Sequence, residues 1–177
     1  MKSKIVAISA ISAALSALFL TVGAYFEIAD LFTIVIASVF TLLPIYYKSY
    51  KGSVLAFLCG GIIAFLCSGF NLISLVFPAY FAFFGIYPIV KSKMMDKSFN
   101  KVAGFIIGGL WFLAVSYGLY FYYVLIMGGN FYDLPLWISQ YIVYFVAIVS
   151  ILFFAVYDRF VFVMRRLADF YLGRILK

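Results

Sequence analysis

No histidine occurs anywhere in the 177 residues. That absence removes Ser–His dyads, HExxH zinc sites, histidine-ligated haem and histidine proton relays. There is no GxxxxGK[ST] phosphate loop either, so any ATP that drives this protein is hydrolysed by a partner. Acids are scarce, 6 Asp and Glu against 13 Lys and Arg, and charged residues make up only 11% of the chain. The 2 cysteines, Cys59 and Cys67, share one apolar run, where thiols behave as small hydrophobes rather than as redox or metal groups. This residue set predicts no metal site, no cofactor and no catalytic residue.

What remains is apolar: 68% hydrophobic and 22% aromatic, far outside the range of soluble domains. A chain of this length cannot hide so much apolar surface, so lipid is its solvent. In a soluble protein the net charge of +7 would raise the question of nucleic acid. No basic stretch here has the length and interleaved aromatics of such a surface, and no nucleic-acid partner is expected.

The bases instead write a membrane topology. They fall in four places: Lys2 and Lys4; Lys48 and Lys51; Lys91, Lys93, Lys97 and Lys101; and Arg159, Arg165, Arg166, Arg174 and Lys177. Apolar runs lie between, and where a run breaks without a base the charges are Glu27, Asp30 and Asp133. That alternation is the positive-inside pattern. It predicts an all-α membrane protein: a bundle of six transmembrane helices over residues 1–157, with spans at about 5–26, 31–47, 53–68, 72–90, 102–127 and 136–157, each judged against a hydrocarbon core of about 30 Å. Both termini are then cytoplasmic. The first run is longer than a signal-peptide core of about 7–15 residues and reads as a retained helix. Pro78 should kink the fourth span by freeing the Ser74 carbonyl, while Pro44 and Pro88 should end helices.

Residues 158–177 change character. Phe160, Met164, Leu167, Tyr171 and Ile175 recur at helical spacing on one face, with Arg159, Arg166, Arg174 and Lys177 on the other. A basic amphipathic helix lying on the cytoplasmic leaflet is the expectation, and a docking helix for a cytoplasmic partner is its alternative.

Two groups of residues stand out for function. In the first span, Ala7, Ala10, Ala14, Ala17, Thr21 and Ala24 repeat at three–four spacing, widened by Ser9, Ala13 and Ser16. Such stripes let helix backbones approach closely in lipid, either within the bundle or against a separate subunit, since Leu15, Leu18, Phe19 and Leu20 are available to fill the bundle. On the outer face, Glu27, Asp30 and Asp133 lie near Asn71, Asn130 and Tyr132, with Gln140, Tyr141 and Tyr144 a turn or two into the sixth span and Tyr117 and Tyr120 in the fifth. These groups would wall a cavity opening outward. The plain alternatives are headgroup anchoring by Tyr and Trp137 and simple solvation of the acids. No ionisable residue is expected mid-membrane, which argues against an ion-coupled carrier.

The layout of six spans, the AxxxA spacings Ala10–Ala14 and Ala13–Ala17, and the stretch Pro44–Gly61, where a helix end, a short turn and Gly52 lead into a Gly- and Ala-rich helix, together resemble the substrate-binding (S) component of an energy-coupling factor (ECF) transporter. The resemblance covers the whole chain in layout and about a quarter of it in motif, with no vitamin-specific signature and a short first turn. It implies a non-enzymatic subunit in the plasma (inner) membrane of a bacterium that captures a small solute from outside. Transport would be driven through a transmembrane coupling subunit and cytoplasmic ATPases. Candidate substrate-binding residues are then Glu27, Asn71, Tyr120, Tyr132, Asp133 and Gln140, and the docking face is Ala10, Ala13, Ala14 and Ala17. Acids without bases at the outer face favour a cationic or neutral solute. Two other classes remain: a non-transporting membrane scaffold or assembly factor, and an intramembrane enzyme on lipid-linked substrates. The enzyme would need carboxylates, and Asp96, Asp158 and Asp169 read as isolated.

Overall fold

In the computed structural model the described residues are 2–71, 73–126 and 136–175, with the side chains of Lys2, Glu27, 136–140, 168 and 171–175 outside that description. Among them the structure is all-helical. Four helices are long and apolar enough to cross a membrane: Ser3–Tyr25, Tyr50–Cys67, Lys101–Ile126 and Tyr141–Leu167.

Helix α1 (Lys2–Tyr25) contains no proline and is apolar almost throughout. Phe26 closes it by donating to the Val22 and Gly23 carbonyls, and a 3-10 turn, Glu27–Ala29, leads into α2 (Asp30–Phe40). Asp30 lies in the first turn of α2, where a carboxylate complements the helix dipole. The predicted second span is a helix in two pieces, because a break at Thr41–Leu42 precedes the short α3 (Leu43–Tyr46). Pro44 stands at the start of α3, so it opens a helix rather than ending one: an N–H missing from the first turn costs no hydrogen bond. Lys48 takes a left-handed conformation (φ 58°) and Ser49 Oγ caps α4 (Tyr50–Cys67) by accepting from Gly52 N–H at 3.1 Å.

The predicted fourth span is also segmented. It comprises α5 (Val76–Ala79), a π turn (Tyr80–Phe84) and α6 (Tyr87–Asp96). Pro78 sits inside the short α5, ahead of the π turn, and Pro88 again begins a helix instead of terminating one. Helix α7 (Lys101–Ile126) is unbroken. Helix α8 (Leu136–Ile175) has 40 residues, about 60 Å at 1.5 Å per residue. Residues 158–175 therefore continue the last span without a break, where the sequence pattern suggested a separate surface helix.

Helix α1 packs chiefly on α4 and α2, and α7 packs on α8. The core between the two groups is aromatic. Phe83 stacks on Tyr87 (ring centroids 4.7 Å apart) and meets Phe112 and Trp111 edge-on at 4.8 and 5.3 Å. Phe153, Phe154 and Tyr157 close the cluster from α8. Edge-on contacts of this kind place a ring's positive rim against its neighbour's negative face.

Candidate functional site

The small-residue stripe of α1 divides between two neighbours. Ser12 Oγ donates to the Phe40 carbonyl at 2.5 Å and Ser16 Oγ to the Ala37 carbonyl at 3.1 Å, so these two hydroxyls face α2. Ala13 and Ala17 are buried, at 6% and 5% exposure. A Cβ added to Gly60 of α4 would stand 3.0 Å from the Ala13 carbonyl oxygen and 3.0 Å from Ser16 Cβ, which measures how closely the two backbones approach. Ala7, Ala10 and Ala14 remain exposed. Leu18 is also exposed, at 57%, rather than filling the bundle.

Beside this close contact α1 and α4 line a groove of about 740 Å³. All four predicted docking residues, Ala10, Ala13, Ala14 and Ala17, line it, with Leu55, Cys59 and Ile63 forming its far wall. Both walls belong to helices of membrane-spanning length. The groove extends from Val6 to Val22 along α1, about 24 Å of helix. No charged side chain lines it.

The predicted outer-face site is only partly within the described residues. Tyr132, Asp133 and Asn130, with the side chains of Glu27, Gln140 and Trp137, lie outside them. Asn71 is engaged in its own turn: Oδ1 accepts from Ile73 and Ser74 N–H at 3.1 and 3.2 Å, and Nδ2 donates to the Ala24 carbonyl at 3.4 Å. It follows Gly69 and Phe70, both left-handed (φ 69° and 60°), so the side chain replaces backbone partners that this reversal leaves free. Tyr120 meets Phe121 edge-on at 5.6 Å, and Tyr117 joins α7 to α8 by donating to the Val143 carbonyl at 3.0 Å.

A polar cluster that sequence reasoning missed lies at the other end of the bundle. The Lys91 Nζ donates to Asp158 Oδ1 at 2.6 Å, the side chains being only 12% and 8% exposed, and the Tyr87 hydroxyl donates to the same oxygen. Arg165 pairs with Asp96 at 3.3 Å and Asp169 at 3.2 Å, and lies over the Tyr46 ring. Asp96 also accepts from the Tyr50 hydroxyl. These contacts join the stretch Tyr46–Tyr50 beside Lys48 and Lys51, helix α6 and the C-terminal part of α8 at one basic end. Asp96, Asp158 and Asp169 therefore each pair with a base, and Asp158 falls inside the apolar helix Tyr141–Leu167. The available signal was the helical row Phe154, Tyr157–Asp158, Val161, Arg165, whose members are all buried. This row, with its two charges, faces the bundle, while of the expected apolar face Phe160 packs against the core and Leu167 is 44% exposed.

Two hydroxyls beside this cluster, Ser53 on α4 and Ser92 on α6, are buried without a hydrogen-bond partner among the described residues. A buried hydroxyl that makes no bond carries a desolvation cost with nothing to offset it. Ser53→Ala and Ser92→Ala should each leave thermal stability unchanged or raise it by up to about 1 kcal/mol, read from unfolding in detergent.

Among the described residues no group of three or more His, Cys, Asp or Glu side chains is arranged to hold a metal ion. No protein-family model matches the chain, and neither does any curated protein or solved structure.

Proposed function

We propose that this chain is a multi-pass membrane subunit that receives a transmembrane helix of a separate protein in the α1–α4 groove. The finer form of the proposal is the substrate-binding component of an ECF-type importer, in a bacterial plasma membrane with both termini cytoplasmic. The segmented stretches 30–46 and 76–96 would then complete six crossings beside the four long helices. The observation that carries the reading is that Ala10, Ala13, Ala14 and Ala17 line one uncharged groove between two helices of membrane-spanning length. Helix association in lipid depends on such small-residue surfaces, because tails and side chains are equally apolar and only close packing distinguishes them. The groove's length also favours a helix. One leaflet of the hydrocarbon core is about 15 Å deep, shorter than the wall that α1 offers.

The division of the stripe gives a clean test. Ala10 and Ala14 are exposed in the groove, so the double variant Ala10→Leu/Ala14→Leu should fold and insert normally. Its recovery of a coupling subunit and ATPases from native membranes should fall at least about tenfold, equivalent to ~1.4 kcal/mol. Undiminished co-purification would remove the docking claim. In the importer form, a small cationic or neutral solute binds at the acidic face through Glu27, Asn71, Tyr120, Tyr132, Asp133 and Gln140, and partner ATPases supply the energy.

A membrane scaffold or assembly factor is the second reading. It is favoured by the commitment of Asn71 to its own turn and by the packing of Tyr120 against a neighbouring ring. The pull-down separates the two readings: a coupling subunit with ATPases supports the importer, and recovery of unrelated membrane factors alone supports the scaffold.

A further inference from the structure

The helical stretch 76–96 is interrupted twice, and α8 answers both interruptions. The first is the π turn, where Gly85 N–H reaches the Tyr80 carbonyl, five residues back, at 2.9 Å. The second is Pro88, which has no N–H to give to the Phe84 carbonyl four residues earlier. The Tyr157 hydroxyl of α8 stands 3.3 Å from that carbonyl oxygen and 2.9 Å from Ser38 Oγ of α2. The next residue, Asp158, accepts from Tyr87 and Lys91 of α6. Two consecutive residues of α8 thus fix the exit of the π turn and the first turns of α6.

A π turn holds one residue more than α spacing allows, so gaining or losing it changes the register of everything downstream. One residue of register is worth about 100° around the axis and about 1.5 Å along it. Tyr87 and Lys91 are four residues apart and share one face of α6. In the observed register that face meets Asp158; one residue away it does not. The neighbouring wall also leaves room for the Tyr87 ring, since a Cβ on Gly108 of α7 would come within 2.8 Å of Tyr87 Cε2 and 3.0 Å of its hydroxyl.

The geometry points to a two-state element. The Tyr157–Asp158 clasp on α8 holds the π turn open, and its release lets the turn close to α spacing while α6 rotates its Tyr87–Lys91 face away from α8. Because α6 runs directly into the basic loop, the rotation changes how Lys91, Lys93 and Lys97 are presented at the basic end. The aromatic core is thereby coupled to that surface. This inference stands whether or not the groove takes a partner.

The test is a distance measurement by double electron–electron resonance in lipid nanodiscs. Spin labels are placed by Lys4→Cys and Lys93→Cys in a Cys59→Ser/Cys67→Ser background; Lys4 and Lys93 are exposed and neither touches the clasp. With the clasp intact a single distance is expected. Asp158→Asn and Tyr157→Phe, the latter removing only one hydroxyl, should each add a second distance in about a tenth of molecules or more. Deleting Ala82 from the π turn should make that second distance dominant even with the clasp intact. A distribution that stays single and unchanged in Tyr157→Phe and in the Ala82 deletion would overturn the inference and leave the clasp a purely structural contact.

Discussion

Asp158→Ala is expected to destabilise the folded chain by about 3–5 kcal/mol, whereas the double variant Lys91→Met/Asp158→Leu should recover most of that loss. The two side chains are 12% and 8% exposed, so neither charge has much access to water. Removing the carboxylate takes away the ion-pair partner of the Lys91 ammonium, beside a helix apolar enough to cross a membrane. Unpaired charge in that setting is disfavoured by several kcal/mol. Replacing both partners removes both desolvation terms and adds apolar contact, which is why paired replacement of buried ions is so often near-neutral. Asp158→Asn should fall between the two, since an amide oxygen still accepts from Tyr87 but no longer balances Lys91. Titration with a denaturing detergent, followed by circular dichroism or tryptophan fluorescence, gives the ranking. Equal losses in Asp158→Ala and in the double variant would mean that the pair contributes by packing alone.

How far the sequence discloses this arrangement depends on which interactions carry it. The long helices α1, α4 and α7 follow from uninterrupted apolar runs bounded by bases or turn residues, and composition alone decides such runs. Segmentation at 41–42 and at the π turn does not appear in hydropathy, because apolar residues remain apolar whether their backbone is α, π or broken. Pro44 and Pro88 are ambiguous for a related reason: a proline signals a boundary without saying on which side the helix lies. The course of α8 was hidden by its charges. Arg159 and Arg166 are exposed as their helical face requires, but Asp158 and Arg165 are buried against partners from α6. A periodicity argument places Arg159, Arg166, Arg174 and Lys177 on the wet face but says nothing of internal ion pairs at Asp158 and Arg165. The alanine stripe was legible as a contact surface. Its division into a buried half and an open half was not, because α4 contributes the missing wall through Gly60 and the row Leu55, Cys59 and Ile63.

Gly60→Leu tests that division most severely. A single Cβ at this position already stands 3.0 Å from the Ala13 carbonyl oxygen and from Ser16 Cβ, and 3.5 Å from Ala13 Cα. Two of these three atoms are backbone of α1, so no side-chain rotation relieves the contact and the helices themselves must part. Gly60→Ala should therefore cost about 1–3 kcal/mol from overpacking, reduced by the ~1 kcal/mol by which alanine exceeds glycine in helix propensity. Leucine adds a branched side chain to the same clash. It should cost at least about 3 kcal/mol, at the upper end of overpacking effects, because the whole α1–α4 contact is displaced. Ala14→Leu, next to Ala13 in the chain but facing the open groove, should change stability by less than about 0.5 kcal/mol, the usual range for exposed positions. Thermal unfolding of the three variants in one detergent or nanodisc settles the order. If Ala14→Leu proves as costly as Gly60→Leu, the stripe is wholly internal to the bundle and no free surface remains for a partner helix.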